Sequence, residues 1–397
     1  MKSIGENSKK VLIYPPSFKL HTAYKSLISN PPKGYDLIVK NETRKQKFLN
    51  YLKNYKIAKI IYSLFLKIFK TTKILELSSS IKESSDIDLV FSTGYIYSGR
   101  KSYVIDIIDN IYCLAGYNYD LFIHNLENIK KSLLDNNCKK IICVNKASLI
   151  SMKNYFPEGI LKKTVLIYPA IKPIDFKKIK HDKFRMLFMG SINNPDDFGF
   201  KGGLNALEIF EEISKKYENV ELVIRSKVPS FLRERILSNP KIVLMEKDIK
   251  VEEVRNIYLS SDILLCPAHT YIGLMTLLES MSFKLPIVAL DTYATREFVR
   301  NGFNGFIIKK SEKIKSYFHP SYPTNVRSKE FISEIRNVDK SIIRKLVDKV
   351  ELLINNPKLV EKMGENGRKL IDTKFSIDVR KKKLGKIFDD ALGSKKR

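Results

Sequence analysis

Short apolar runs closed by proline, glycine or polar residues recur along the chain, and between them apolar residues return every three or four positions. The first pattern is that of a strand buried on both faces, the second that of a helix with one face against a sheet. Runs at Val11–Tyr14, Leu37–Val39, Asp88–Phe91, Tyr103–Ile108, Lys139–Val144 and Val165–Tyr168 predict strands, with one helix over Leu121–Asp135. Further strands are predicted at Arg185–Met189, Glu221–Ile224, Ile242–Met245, Ile263–Cys266 and Ile287–Leu290. Helices are predicted from Gly203 through Ile213 and over Val251–Leu259, and again after Gly273, where Leu274, Met275, Leu277, Leu278 and Met281 fall at helical spacing. Ile342–Asn355, Pro357–Thr373 and Phe375–Leu392 read as closing helices, and the polar, basic stretch Lys309–Asp339 has no assignment. Strand and helix in alternation make βαβ units and parallel sheets, and such sheets bind ligands beyond the carboxyl ends of their strands.

A chain of 397 residues with 44% apolar content buries a large core and divides into two or three domains. Its net charge of +28 changes the picture, because it calls for an anionic partner: a nucleotide diphosphate, an anionic lipid or a nucleic acid. Between Thr43 and Leu75 there is no acid, and Lys47, Lys53, Lys56, Lys59, Lys67, Lys70 and Lys73 alternate with aromatic and aliphatic residues. That stretch, 47–73, fits a basic amphipathic helix on an anionic bilayer, and equally a helix packed on its own domain with its lysines solvated. Nucleic acid is the weakest of the three partners, since no recognition module accompanies the charge. Cys113, Cys138, Cys143 and Cys266 lack metal-ligand spacing and read as buried thiols of a reducing compartment; the scattered histidines make no metal site either. The start, MKSIGENSKK, has no apolar region after it, so no signal peptide is expected, and no run reaches the ~20 apolar residues of a spanning helix.

The chemistry concentrates in Asp262–Ile307. There Gly273 opens a helix containing Glu279-Ser280-Met281-Ser282, Pro286-Ile287-Val288-Ala289 makes the next strand, and Glu297 and Asn301-Gly302-Phe303-Asn304-Gly305 follow. This combination resembles the donor-binding core of the retaining family-four glycosyltransferases (glycosyl transferases group 1). The resemblance implies the GT-B fold, two doubly wound Rossmann-like α/β domains facing across a cleft. It places an acceptor-side domain at 1–172, a nucleotide-sugar domain at 173–374 and, in 375–397, a helix crossing back to the first domain.

The same resemblance distributes roles. Strand, Gly190-Ser191, loop, Lys201-Gly202-Gly203 and helix look like the family's strand, Gly-Arg, loop, Lys-Gly arrangement. A departing nucleotide diphosphate gains negative charge, and a fixed ammonium with backbone N–H groups at a helix start stabilises it there. Lys201 is the candidate ammonium, and the helix start is Gly273, Leu274, Met275 and Thr276. Ser191 stands where the family has arginine, with Arg225 and Lys227 as candidate replacements. Glu279 is expected to accept hydrogen bonds from the donor's ribose. Asp109, at the end of a strand in the first half, is the candidate for the donor sugar's hydroxyls, with Asp106 second; a plain helix cap is the alternative for Asp109. The loop Glu246–Lys250 sits where relatives hold the nucleobase.

Two departures stand out. The family's first glutamate, eight residues before the second, is Tyr271 here, so Tyr271 or His269 is left to contact the sugar. Lys284 replaces the glycine that precedes x-Pro. The implied activity is transfer of a sugar from a UDP or GDP sugar to a hydroxyl of a glycan or lipid-linked acceptor, with retention and without a metal or resident cofactor. It would take place in the cytoplasm or on the cytoplasmic membrane face. A GT-B epimerase or phosphorylase, or a non-catalytic binder of nucleotide sugar or polyanion, would share this architecture.

Overall fold

The computed structural model describes residues 8–15, 22–40, 84–270, 273–314 and 325–393. The basic stretch 47–73 and Tyr271 lie outside them. The chain divides into two compact units, Met1–Ala170 with Ile377–Arg397, and Ile171–Ser376, against the expected divisions at 172 and 374.

In the first unit the strands are β1 (Lys9–Tyr14), β2 (Tyr35–Val39), β3 (Leu89–Thr93), β4 (Tyr103–Ile107), β5 (Cys138–Cys143) and β6 (Thr164–Leu166). They form one parallel sheet in the order β2-β1-β3-β4-β5-β6. The helices are α1 (Thr22–Ser29), α2 (Tyr119–His124), α3 (Leu126–Leu134), α4 (Lys146–Tyr155) and α5 (Glu158–Leu161). The single helix expected over Leu121–Asp135 is thus two: Asn125, buried at the junction, leaves helical geometry with φ −105° and ψ 13°, and its side-chain amide donates to the Leu121 carbonyl at 2.9 Å. An asparagine that competes with the backbone in this way interrupts a helix that its apolar spacing would continue.

The second unit repeats the pattern with β7 (Phe184–Met189), β8 (Val220–Arg225), β9 (Ile242–Met245), β10 (Ile263–Cys266), β11 (Ile287–Leu290) and β12 (Gly305–Ile308). The order is β12-β11-β10-β7-β8-β9, all parallel. Its helices are α6 (Asp197–Phe200), α7 (Gly203–Lys216), α8 (Ser230–Leu237), α9 (Val251–Leu259), α10 (Leu274–Ser282), α11 (Thr295–Phe298), α12 (Lys329–Arg336), α13 (Lys340–Ile354) and α14 (Pro357–Thr373). α6 lies in a stretch expected to be loop, and α12 in the unassigned stretch, where its Phe331 and Ile335 pack with Phe200. The core interleaves Met186, Phe188, Leu222, Ile224, Leu265 and Val288 with Phe210 of α7 and Leu346 of α13. Strand order reverses between β7 and β10, whose chain neighbours lie on opposite sides, and that is where a doubly wound sheet opens a crevice at its carboxyl edge.

The last helix, α15 (Ile377–Ala391), belongs to the first unit. Its Phe388 meets Tyr35 and Phe91 edge-on, with ring centroids 5.2 and 5.7 Å away. Its Arg380 donates to Asp106 at 2.8 Å, and the Tyr24 hydroxyl donates to the same carboxylate oxygen at 3.0 Å. All four cysteines are buried free thiols.

Candidate functional site: the carboxyl edge of the second sheet

The β7–β10 switch point gathers the sequence candidates of the second unit. β7 ends at Met189, and Gly190 follows with its N–H bonded to the Arg225 carbonyl of β8. A methyl group on Gly190 would stand 2.1 Å from the Ser226 hydroxyl, so this glycine lets the two strand ends close together. Lys201 ends α6, and its Nζ lies 3.4 Å from the Gly190 carbonyl. Gly202 takes the left-handed φ of 82° and starts α7; a side chain there would meet the Pro267 carbonyl at 2.0 Å. The glycine therefore lets the Lys201 turn sit directly against the end of β10.

From that turn Lys201 reaches the start of α10. Its Nζ is 3.8 Å from where a Cβ on Gly273 would be, and it lines one depression with Met189, Cys266, Gly273 and Thr276. Burial pushes the Cys266 thiol up to about 12, and the Lys201 charge beside it opposes that rise. Leu274 and Met275 point their side chains into the core, so each can offer a ligand only its backbone N–H. The first amides of a helix have no intrahelical acceptor. The Thr276 amide is engaged with the Gly273 carbonyl at 2.9 Å, leaving the Thr276 hydroxyl as its donor.

Glu279 lies three residues after Thr276 on the same helix face. Its Oε2 accepts from the Tyr258 hydroxyl of α9 at 2.8 Å. Burial holds its pKa above the usual carboxylate range, while the Tyr258 hydrogen bond and the Arg225 charge pull it down. Arg225, at the end of β8, has a buried Nε with no hydrogen-bond partner among the described residues. Lys227 is exposed, and its N–H donates to the Ser191 carbonyl at 2.8 Å.

Ser191 is engaged elsewhere. Its hydroxyl accepts from the amides of Asn193 and Asn194 at 3.3 and 3.4 Å, and its carbonyl from Lys227 N–H at 2.8 Å, so it folds the loop after β7. Glu246, in the loop expected beside the nucleobase, accepts from Val228 N–H at 3.1 Å and pairs with Arg233. His269 is buried and pushed down to about 4, hence neutral near pH 7. Lys284 takes a left-handed φ of 58°, a conformation that would favour the glycine the resemblance implies at that place. Asn304, in the Asn-Gly turn, is fully buried and bonds to Arg300 N–H and the Phe298 carbonyl.

In the first unit Asp109 follows β4 with a left-handed φ of 61°, its carbonyl accepting from Asn145 and Ser148 of the α4 start at 2.8 and 2.7 Å. The helix cap considered for it belongs to Asn110, whose side chain accepts from Tyr112 N–H. Asp106 is closed off as a ligand group by Arg380 and Tyr24. Sequence reasoning gave Tyr258 and Ser226 no role; a buried tyrosine's need for a hydroxyl partner was the available signal for the first.

A cavity of about 1000 Å³ lies at the opposite, amino edge of this sheet, between the segment Phe176–Phe184 and α14. Three of its five lysines are engaged: Lys178 with the Ser261 carbonyl at 2.7 Å, Lys183 with Glu221, Lys284 with Glu365. Among the described residues no His, Cys, Asp and Glu side chains gather as a metal would require. No helix among them is long and apolar enough to cross a membrane.

Comparison with known proteins bears on this edge directly. Residues 183–317 match the family described as glycosyl transferases group 1. A capsular polysaccharide biosynthesis glycosyltransferase of Staphylococcus aureus, CapM, is 22% identical over 226 residues, 55% of this chain and 49% of its own. The chain thus spans about half the length of CapM. An uncharacterized glycosyltransferase of Haemophilus influenzae is 24% identical over 82% of each chain. Among solved structures, Anabaena HepE in complex with UDP and glucose superposes with a TM-score of 0.58 at 11% identity, covering 96% of this chain and 99% of HepE. Residues 183–317 therefore form a glycosyl transferases group 1 domain, in a chain with the GT-B fold.

Proposed function

We propose that the chain transfers a sugar from a nucleotide-diphosphate sugar, UDP- or GDP-linked, to a hydroxyl of a glycan or lipid-linked acceptor, with retention at the anomeric carbon. The observation that carries this is the meeting of Lys201 with the first turn of α10 at the β7–β10 switch point. As the bond from the anomeric carbon to the phosphate oxygen breaks, charge builds on the diphosphate. An ammonium and helix-start amides already in place stabilise that charge without reorganising. Glu279 would fix the nucleoside through its ribose hydroxyls, a hydrogen bond to a charged acceptor. Asp109 is the proposed contact to the donor sugar. Retention and the hydroxyl acceptor rest on the family resemblance, and the capsular role in CapM's name supports a glycan acceptor.

Because lysine and amides meet the diphosphate, turnover should persist in chelator. Purified protein incubated with UDP and GDP sugars and a candidate glycan acceptor should release nucleotide only when acceptor is present. Strict dependence on a divalent ion, or release without acceptor, would contradict the proposal. One observation favours a second reading, a non-catalytic nucleotide-sugar binder: the Ser191 hydroxyl is tied into its own loop and supplies no cation. Nucleotide binding without turnover on any sugar would select it.

A further inference from the structure

We propose that Tyr258 is a positioning residue of this site: it holds the Glu279 carboxylate for the nucleotide and is itself held by Phe176 through Phe283. The inference rests on Glu279 being the donor contact, and it adds what sets that carboxylate's aim and charge.

The Tyr258 ring is 1% exposed and lies parallel to the Phe283 ring, 5.2 Å between centroids and 11° between planes. Phe283 closes α10, one turn past Glu279, and packs in turn on Phe176 at 5.5 Å. Phe176 stands in the segment leading into β7, with the Lys284 ammonium 5.8 Å over its ring. Two χ angles fix a tyrosine, and rings on one side with the Glu279 carboxylate at the tip leave neither free. The hydroxyl then occupies Oε2, so the carboxylate presents Oε1 to a ligand.

The same contact sets the charge. An ionised carboxylate only accepts hydrogen bonds, which is what sugar hydroxyls require, whereas the protonated acid would spend one oxygen as a donor. Burial works against ionisation here, and what opposes it comes from two elements, Tyr258 on α9 and Arg225 at the end of β8. Among the other groups nearby, the Lys201 ammonium stands at the start of α10, and the rest are neutral or paired. On β10 the Cys266 thiol stays neutral; after β11 Asp291 is paired with Arg296; on α14, behind α10, Glu365 is paired with Lys284. Tyr258 itself stays protonated, its pKa pushed up by burial and by Glu279.

The test uses the full chain and the nucleotide, UDP or GDP, that binds the wild type, titrated calorimetrically across pH 5 to 8. Taking differences from wild type cancels the nucleotide's own phosphate titration. Tyr258→Phe is expected to weaken binding about tenfold at pH 7, the loss of one hydrogen bond to a charged group. Its acid limb should move to higher pH, because Glu279 loses a partner that favours the ionised form. The KM for donor should rise while kcat at saturation holds. Glu279→Gln should lose more and abolish the acid limb, and adding Tyr258→Phe to it should cost nothing further. Phe176→Ala keeps the hydroxyl and removes the ring behind Phe283; a loss of about threefold with the limb moved the same way is expected. The proposal is overturned if Tyr258→Phe binds as the wild type does, if its loss adds in full to that of Glu279→Gln, or if either aromatic variant weakens binding with an unmoved pH profile. Wild-type binding by Glu279→Gln would overturn both this inference and the reading of Glu279 beneath it. An effect of Glu279→Gln without one of Tyr258→Phe overturns this inference alone.

Discussion

Burial acts on two residues of the second unit in opposite directions, and each direction is measurable. His269 is pushed down to about 4, so between that value and the ordinary 6.5 only the unfolded chain takes up its proton. Its contribution is intact above pH 6.5 and is lost as the pH falls toward 4, by as much as about 3 kcal/mol, since each pKa unit is worth about 1.4 kcal/mol. Denaturant midpoints at pH 7 and pH 5 should fall further for the wild type than for His269→Gln; parallel losses would contradict the assignment. Glu279 is pushed the other way, and there the consequence falls on binding. Lys201 and Glu279 were legible because an ammonium before Gly-Gly and a carboxylate inside an apolar helix stretch are conspicuous as residue types. Ser226 and Tyr258 were not, because a serine after a strand and a tyrosine on an apolar helix face carry no such contrast. Ser191 was legible as a departure, but its use in folding the loop depends on turn geometry that spacing does not encode.

Among the elements, the strands came through best, since apolar runs ending in Pro267 or Gly190 have one reading. Helix continuity came through less well: Leu121–Asp135 keeps helical spacing across Asn125, and only the asparagine's bond to Leu121 breaks it. The Asn301–Gly305 turn carried the family resemblance, yet Asn304 is spent on Arg300 and Phe298, so the motif holds the turn between α11 and β12. The start of α7 makes the sharpest prediction at this scale. Gly202→Ala would put a methyl group 2.0 Å from the Pro267 carbonyl at a φ of 82°. The left-handed backbone alone costs about 1–2 kcal/mol, so a total loss of at least ~2 kcal/mol is expected, read as a lower denaturant midpoint. Because Lys201 is the preceding residue, nucleotide affinity should fall as well. An unchanged midpoint would mean that the turn can move away from β10.

At the scale of the whole molecule, the chain's last helix returns to the unit in which the chain begins, and one buried ion pair marks the return. Arg380 and Asp106 are both almost fully buried, and the arginine also bonds to the carbonyls of Ile167 and Tyr168 at 3.2 and 2.7 Å. Arg380→Met leaves the Asp106 carboxylate without its charge partner and should destabilise the first unit by about 3–5 kcal/mol. Pairing it with Asp106→Leu should recover most of that loss, and no recovery would show the arginine's carbonyl contacts to be what matters. The charge of +28 and the stretch 47–73 make a separate prediction. Reversing Lys53, Lys56 and Lys59 to glutamate should abolish binding to anionic liposomes, each lysine near such a surface being worth about 1 kcal/mol. Undiminished binding would remove the membrane from the account.

The central claim is that Lys201 and the start of α10 hold a nucleotide diphosphate, and calorimetric titration of UDP and GDP into wild type and Lys201→Ala tests it most directly. The account predicts saturable binding of one nucleotide to the wild type and a loss of at least tenfold in the variant at unchanged thermal stability. Equal affinity in the two proteins would contradict it.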